Sequence, residues 1–506
     1  MRSFTRSLEE GVSRYIRTKR WFAGKGREIS AVRLLTAEPV RIDDLPEWVC
    51  AMFSVSFAGG SVQTYFLPLS VFRSGAELPP GLPSEACIVE ADGARGRCFV
   101  FDALHDDQFC RGVLAALRRS GDVSLENGVL RFSASGALKE MDSRHEEPVC
   151  RLSLEQSHSS YRLGDRMIVK IYRQIQNGVN PELEIGRYLT EKAAFPNMAR
   201  VGGAIEYLGE GGNTTTLAIL QEFVPNGGDC WNHTLAHLKR LSEAVARGEA
   251  PDNGNFPERM ELLGERVGLL HAVLAGTSGD PAFDPEPVSD DDWVEWMSSI
   301  ERSAVETLDA LKRRIDSIPE RHRAMVEEVC AASDRIRDHV KTFRPDLASI
   351  RKARIHGDLH LGQILVTQDD FVIIDFEGEP ARPLAERRRK HLPVRDVAGM
   401  LRSFGYAARM TVQHESLGND EFDRRLSAMA EDWEHRIGEI FLSGYFHGAG
   451  DCVAIPRDRD VFDSLLNLFL LEKVLYECVY ELNNRPDWIG IPIAGLINIV
   501  RNIYLA

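Results

Sequence analysis

The sequence predicts an α+β fold in which a β-rich N-terminal part precedes a mainly helical C-terminal part. Short strand-like runs, separated by Gly and Pro clusters, occur throughout the first 224 residues. After residue 225, apolar residues recur at helical spacing over long stretches, such as 259–277 and 324–343. A chain of 506 residues is long enough for roughly two to four domains with a sizeable core.

Residues 1–147 form the first predicted domain, which is small and β-rich. An amphipathic helix is expected over roughly the first 20 residues. Strand-like runs follow it at 31–40, 49–57, 62–69 and 87–101. A further helix is predicted from residue 108 to residue 119.

Residues 148–224 form the second predicted domain, in which 152–173 is typical of consecutive strands joined by tight turns. A helix is predicted to begin near Pro181, because proline is favoured at the first helical position. Residues 225–506 form the third predicted domain, which is expected to be mainly helical.

Charge and composition argue against several classes of protein. The formal net charge is −15, from 61 basic and 76 acidic residues, which is unlike a general nucleic-acid-binding protein. The N-terminus lacks an apolar signal core, and no run approaches the ~20 apolar residues of a membrane helix. The nine cysteines are scattered without a C-x-x-C pair, so neither a disulfide framework nor a zinc site is indicated. We therefore expect a cytoplasmic protein that binds neither nucleic acid nor membranes.

The stretch from His356 to Glu377 carries the pattern with the clearest chemistry. Asp358, in a His-Gly-Asp triplet, can accept the proton of an attacking hydroxyl group. Gln363 and Asp375 offer hard oxygen ligands of the kind that Mg²⁺ prefers, and Asp375 ends an apolar run. One aspartate alone would favour a polar turn before a strand. Three such groups at this spacing favour a magnesium-dependent phosphoryl transferase.

This stretch resembles the catalytic and metal loops of aminoglycoside-phosphotransferase-like kinases, a branch of the protein-kinase-like fold. Gln363 replaces the Asn that most members carry, and this Gln form resembles the bacterial maltokinases. The other segments that carry the resemblance are 20–25, 375–380, 382–387, 395–404 and 475–488. Together they cover nearly the whole chain, from residue 20 to residue 495. The resemblance implies a bilobal fold with a β-rich N-lobe, a helical C-lobe and a small N-terminal cap domain.

The resemblance also implies a site for ATP. Lys170 ends an apolar strand segment, where the kinase lysine contacts the nucleotide phosphates and pairs with a helix glutamate. Glu184 is the predicted partner, with Glu182 as the second choice. The other predicted nucleotide-binding residues lie in a polar turn and in a hinge: Gln156, Ser157, Ser159, Glu222 and Val224. From the residues alone, a polar hairpin without a role in binding explains this turn nearly as well as a phosphate-binding loop does.

Maltokinases use ATP and Mg²⁺ to phosphorylate the anomeric hydroxyl group of maltose, in a route to α-glucans such as glycogen. The resemblance therefore implies a sugar site and possible functional coupling to a trehalose-processing enzyme. Its predicted residues are His360, Arg395, Tyr480, Glu481, Arg485 and Trp488. Aromatic residues at helical spacing are equally typical of a core, so the residues alone leave both interpretations open.

Three alternatives remain at the level of sequence. The chain departs from the maltokinase pattern at 391–394, which keeps other acceptors open, such as glucosamine or an aminoglycoside. The third alternative is an inactive pseudokinase that acts as a binding module. The presence of Lys170, Asp358, Gln363 and Asp375 argues against it. Whether the protein is a monomer or a dimer does not follow from the sequence.

Overall fold

The computed structural model describes residues 2–75, 78–79, 81–93, 96–141, 148–152, 158–347, 350–380 and 382–503. The chain folds as two compact units. The first unit comprises Met1–Ala194, Ala199–Pro225 and Pro383–Ala385. The second comprises Phe195–Met198, Asn226–Arg382 and Glu386–Ala506. The boundary predicted at residue 147 lies outside the described residues, and the predicted division into three domains remains a prediction.

The first unit is built mainly from β-strands. Its strands are β1 (Ile29–Val40), β2 (Trp48–Phe57), β3 (Val62–Arg73), β4 (Cys87–Gly93), β5 (Gly96–Asp102), β6 (Gly121–Leu125), β7 (Gly128–Ala134), β8 (Val149–Arg151), β9 (His158–Leu163), β10 (Met167–Tyr172), β11 (Gln174–Ile175), β12 (Val201–Gly209) and β13 (Thr214–Glu222). Its helices are α1 (Arg2–Arg17), α2 (Asp107–Arg119), α3 (Leu138–Met141) and α4 (Pro181–Arg187).

Two sheets organise these strands. One has the order β1-β2-β3-β5-β4, and β11 adds to it by pairing with β3. The other has the order β6-β7-β12-β13-β10-β9-β8. The run predicted as strand over 87–101 is the antiparallel pair β4 and β5. Gly96, at the start of β5, has a φ of 102°, a conformation that favours glycine and suits a reversal of the chain.

Helix α1 packs its apolar face against the first sheet. Leu8, Val12 and Ile16 recur at four-residue spacing and share one buried cluster with Trp21 and Phe53. This spacing places the three side chains on one face of the helix, so burial of that face fixes α1 to the sheet.

A buried ion pair links the two sheets of the first unit. Asp102, at the end of β5, is fully buried and accepts hydrogen bonds from Tyr15 Oη at 2.8 Å and Arg173 Nη2 at 2.7 Å. Arg173 follows β10 directly, and its Nε donates to Ser159 Oγ at 2.9 Å. Breaking such a pair leaves an uncompensated buried charge, at a cost of about 3–5 kcal/mol. Because Arg173 lies between β10 and β11, this contact fixes the strand that carries Lys170.

The second unit is mainly helical. Its helices are α5 (Cys230–Arg247), α6 (Phe256–Leu274), α7 (Asp290–Arg313), α8 (Glu320–Ala331), α9 (Ser333–Thr342), α11 (Val394–Glu415), α12 (Asp420–Ala449), α13 (Arg459–Asn484) and α14 (Gly490–Ile503), and α10 (Leu384–Arg387) is shared between the units. Its short strands are β14 (Glu286–Pro287), β15 (Arg351–Lys352), β16 (Ile364–Val366) and β17 (Phe371–Ile373). Among the helices of the described residues, none is both long and apolar enough to cross a membrane.

The helical run predicted over 324–343 is two helices, α8 and α9, which meet at Ala332. Neither Gly nor Pro lies between residues 324 and 343, so no breaker marks this position in the sequence.

Helices α6 and α12 approach each other through glycines at four-residue spacing on both helices. A Cβ atom at Gly264 or Gly268 would overlap a backbone carbonyl oxygen of α12, and one at Gly444 or Gly448 would overlap one of α6. Residues four apart lie on one helix face, so each glycine pair forms a flat strip. This close approach brings His271 of α6 to 2.9 Å from Tyr445 Oη of α12.

We expect Gly444→Ala to lower the free energy of unfolding by about 3 kcal/mol, because the new methyl group meets backbone that cannot move aside. The matched control is Gly438→Ala in the same helix, where the new Cβ would meet only Leu401 Cδ2 at 3.5 Å. That variant should be neutral or gain about 0.5–1 kcal/mol. Urea denaturation followed by circular dichroism compares them, and equal stabilities would contradict the close packing.

Candidate active site

The catalytic loop predicted from the sequence lies between β15 and β16. His356 is 1% exposed, and its Nδ1 accepts the backbone N–H of Asp358 at 3.3 Å. The opposite ring nitrogen, Nε2, lies 2.9 Å from the carbonyl oxygen of Ile374. These two contacts assign the proton to Nε2. His356 therefore orients the loop from beneath, which leaves the side chain of Asp358 partly exposed.

Asp396 is the main support of this loop, and the sequence analysis assigned no role to it. Its Oδ2 accepts the backbone N–H of His356 at 2.7 Å, and its Oδ1 accepts that of Gly357 at 2.9 Å. Asp396 lies at the start of α11, only 2% exposed. Two backbone donors of the loop are thus satisfied by one carboxylate, which helps to fix where Asp358 lies.

Asp396 is in turn supported by His271, whose Nε2 lies 3.2 Å from its Oδ2. Burial raises the pKa of the Asp396 carboxyl group. The hydrogen bond and charge of His271 and the N–H of Gly357 outweigh burial, so the pKa lies below its ordinary value. Since Tyr445 holds the other nitrogen of His271, the contact between α6 and α12 extends to the catalytic loop.

The two predicted metal ligands lie together. Gln363 Nε2 donates to Asp375 Oδ2 at 3.1 Å, and the backbone N–H of Ile374 donates to the carbonyl oxygen of Gln363 at 3.0 Å. Asp375 has a φ of 70°, a left-handed conformation that is uncommon outside glycine and is often found at functional sites. Nearby, a Cβ on Gly357 would lie 3.3 Å from the Cα of Gly378, so glycine permits the two loops to approach closely.

A cavity of about 130 Å³ lies beside Asp358. Its lining includes Glu379 and Arg382, which pair at 2.7 Å, and Tyr476. Helix α13 also supplies Glu472, which pairs with Arg382 and Arg395. A second cavity of about 180 Å³ shares Gly357, Glu379, Arg382, Arg395 and Glu472 with the first. The two cavities therefore form adjoining spaces within the second unit.

Two predicted acceptor residues lie close to Asp358. Arg395 lines both cavities, and its Cζ lies 6.0 Å from the ring of Phe469. His360 uses Nδ1 to accept the backbone N–H of Gly362 at 3.0 Å. Burial lowers the pKa of His360 below its ordinary value, although the charge of Asp358 acts in the opposite direction. His360 is therefore expected to be neutral near pH 7.

Three other predicted acceptor residues, Glu481, Arg485 and Trp488, form a separate group with Tyr406, which we call the Glu481 cluster. Glu481 is 1% exposed and binds Arg485 through two hydrogen bonds, at 2.6 and 2.9 Å. Trp488 stacks on Tyr406 with ring centroids 6.3 Å apart. Tyr480 is 44% exposed and stacks on Tyr476. Among the described residues, α13 lines the cavity at Asp358 with Phe469, Glu472, Lys473 and Tyr476, so sugar binding by the Glu481 cluster remains a prediction.

In the first unit, Lys170 pairs with Glu182 and not with Glu184 as predicted. Lys170 Nζ lies 2.6 Å from Glu182 Oε1, and Glu182 is fully buried. Asn180 caps α4 by accepting the backbone N–H of Glu182 at 2.8 Å, which fixes this residue in the first turn. Glu184 lies two residues on, about 200° around the helix, and therefore points elsewhere.

The remaining predicted nucleotide-binding residues have mixed outcomes. Gln156 and Ser157 lie outside the described residues. Ser159 lies in β9 and not in a turn, and its buried hydroxyl group accepts a hydrogen bond from Arg173. Glu222 ends β13 and pairs with Arg200 at 2.9 Å, and Val224 is half-buried just beyond.

Comparison with protein families decides the class of protein. The phosphotransferase enzyme family matches residues 148–431, which is more than half of the chain. The chain belongs to this family. The maltokinase N-terminal cap domain matches residues 15–106 of the phosphotransferase. The predicted resemblance to maltokinases is thereby confirmed, as is the prediction of an enzyme.

Two similar proteins are glucosamine kinases. The phosphotransferase is 27% identical over 357 residues to the glucosamine kinase of Mycolicibacterium smegmatis, which covers 70% of this chain and 79% of that protein. It is 25% identical over 351 residues to the glucosamine kinase of Streptacidiphilus jiangxiensis, which covers 69% of this chain and 72% of that protein.

A solved structure shares the fold of the phosphotransferase. It is a glucosamine kinase in complex with glucosamine, ADP and inorganic phosphate, with a TM-score of 0.64 and 20% identity over 96% of this chain and 98% of that chain. This likeness confirms the predicted fold class, an α+β kinase-like fold with a β-rich N-terminal region, a helical C-terminal region and a cap domain.

We expect Asp396→Asn to lower the free energy of unfolding of the phosphotransferase by about 2–4 kcal/mol, because one amide oxygen cannot replace both acceptors. The folded-state pKa of Asp396 is depressed, so its stabilisation is present above the ordinary carboxyl pKa of about 4 and lost as the pH falls through the folded value. The difference in free energy of unfolding between the wild type and the variant should therefore become smaller at acidic pH.

Thermal and urea unfolding at several pH values measure this difference. The control is Asp432→Asn in α12, whose side chain is 68% exposed and whose surface ion pair should contribute less than about 1 kcal/mol. Equal losses in the two variants, or a difference that does not depend on pH, would contradict the role of Asp396.

Proposed function

We propose that this phosphotransferase is a sugar kinase that transfers the γ-phosphoryl group of ATP to the anomeric hydroxyl group of maltose. The observation that carries the proposal is the combination of the maltokinase cap domain with the cavity beside Asp358. Family membership supports phosphotransfer, and the cap supports a maltokinase-like acceptor. Cytoplasmic location and coupling to a trehalose-processing enzyme accompany the proposal as predictions.

Asp358 is the proposed base. Its carboxylate lines the cavity, so an acceptor hydroxyl group bound there can pass its proton to Asp358 as the oxygen attacks the γ-phosphorus. The bond from that phosphorus to the bridging oxygen breaks, and ADP leaves with the electron pair. His356 and Asp396 hold the loop during the step, because phosphoryl transfer depends chiefly on positioning and charge neutralisation.

The nucleotide and its metal ion have their own proposed residues. Lys170, held by Glu182, is the proposed contact for the nucleotide phosphates. Asp375 and Glu377 each offer a carboxylate oxygen within 4.8 Å of the other, and Gln363 contacts Asp375, so this set fits Mg²⁺. When bound, Mg²⁺ would neutralise charge on the nucleotide phosphates.

The charges around the cavity favour a neutral acceptor. Each carboxylate that lines it in the described part of the chain already has a partner. The pairs are Asp358–Lys473, Glu379–Arg382, Glu472–Arg395 and Asp396–His271. An amino sugar gains affinity when its ammonium group meets an uncompensated carboxylate, whereas a neutral hydroxylated sugar needs only hydrogen bonds. The adjoining second cavity adds space for a larger acceptor than a single ring.

Glucosamine is the second candidate acceptor. Two curated relatives and a solved structure with the same fold are glucosamine kinases. The same proposed chemistry at Asp358 would serve either sugar, so the two candidates differ in the groups that bind the acceptor and not in the reaction.

We expect ATP consumption with Mg²⁺ to depend on maltose in a panel that also contains glucose, trehalose, glucosamine and kanamycin. Phosphorus NMR should show an anomeric phosphate, because the reducing-end hydroxyl group is the proposed nucleophile. Reactions without an acceptor measure background hydrolysis of ATP. Turnover with glucosamine but not maltose would overturn the proposed acceptor and keep the reaction type. Absence of turnover with every acceptor in the panel, despite ATP binding, would favour the pseudokinase.

We expect Asp358→Asn to lower kcat by at least about 100-fold, since the amide cannot accept the acceptor proton. ATP binding, measured by calorimetry, should be retained because the proposed phosphate contacts are unchanged. Asp369→Asn, on the turn between β16 and β17, serves as the surface control. Near-normal kcat in Asp358→Asn would exclude Asp358 as the base.

A further inference from the structure

Helix α13 places one ammonium group against the proposed base. Lys473 Nζ lies 3.4 Å from Asp358 Oδ1, and the two side chains are only 29% and 20% exposed. Both residues line the 130 Å³ cavity. We propose that Lys473 is a positioning residue for catalysis, which holds the Asp358 carboxylate aimed at the acceptor. This inference rests on the proposed role of Asp358.

Lys473 is the cation around this cavity that is directed at Asp358. Arg382 and Arg395 bind Glu379 and Glu472 instead. His360 follows Asp358 closely in the chain, but burial favours its neutral form. Within the catalytic loop, residues 357–363 contain neither lysine nor arginine. The charge opposite the base is therefore supplied by a helix 115 residues away in the chain.

The ammonium group of Lys473 stays charged in this environment. Burial lowers its pKa, but the surrounding negative groups outweigh burial and the pKa lies above its ordinary value. The ring of Tyr476 lies 5.2 Å from Nζ and adds a cation–π contact. The other titratable groups that face the pair are His360, Glu379, Arg395, Glu472, Tyr476 and Glu477.

One consequence follows from this geometry. The contact restricts the rotamer of Asp358, and misplacement of a catalytic group by about 1 Å can reduce the rate by ~100-fold. Removal of Lys473 should therefore affect kcat more than nucleotide binding.

The test compares Lys473→Met with Lys473→Arg, using the acceptor that gives the greatest turnover. Lys473→Met should lower kcat by about 10- to 100-fold. It should change the KM for ATP less than twofold. Lys473→Arg should recover much of the lost kcat, because it restores the charge that contacts Asp358. Lys239→Met, on an exposed position of α5, is the matched control and should leave all values unchanged.

Melting temperatures and circular dichroism establish that each variant is folded, and Lys473→Gln replaces the Met variant if that variant does not fold. An unchanged kcat in Lys473→Met would overturn the inference. Equal losses of kcat in the Met and Arg variants would also overturn it, since loss of packing alone gives that result. Near-normal turnover by Asp358→Asn is a separate outcome, which would exclude Asp358 as the base whatever the Lys473 variants show.

Discussion

The buried carboxylate of Asp396 is the interaction on which the rest of the candidate site depends. It accepts the backbone N–H groups of His356 and Gly357, and it is itself held by His271. The position of His271 follows from the glycine contact between α6 and α12, which also places Tyr445. The close packing of α6 and α12 thus helps to fix the loop that carries Asp358.

The cavity beside Asp358 combines many charges with little net excess. Asp358 is paired with Lys473, and Glu379 and Glu472 are paired with arginines. Within each pair, mutual attraction offsets the cost of removing the charges from water, and the pairs present hydrogen-bonding edges without a strong field. This balance of charge favours the proposed neutral acceptor over a cationic one, although the proposed reaction would be the same for both.

The sequence was informative where function depends on local spacing, and less so where it depends on distant contacts. Asp358, Gln363 and Asp375 lie within 18 residues, so their grouping could be predicted from their spacing. Glu184 was predicted from the resemblance to maltokinases, whereas Glu182 pairs with Lys170 because the helix cap at Asn180 fixes Glu182 in the first turn. The partner of Asp358 could not be predicted, since α13 is distant in the chain and Lys473 carries no motif. The supporting role of Asp396 was missed for the same reason, since its acceptor contacts are tertiary.

The ion pair between Asp102 and Arg173 bears on how far the N-terminal region is a separable module. Sequence similarity to the cap domain ends at residue 106, yet Arg173 lies far beyond it and is neutralised from within the cap. A limit of homology is therefore not a limit of cooperative folding. A recombinant chimera that exchanged this cap for that of a distant kinase would strand a guanidinium group in an apolar interior, unless the strand bearing Arg173 were exchanged with it.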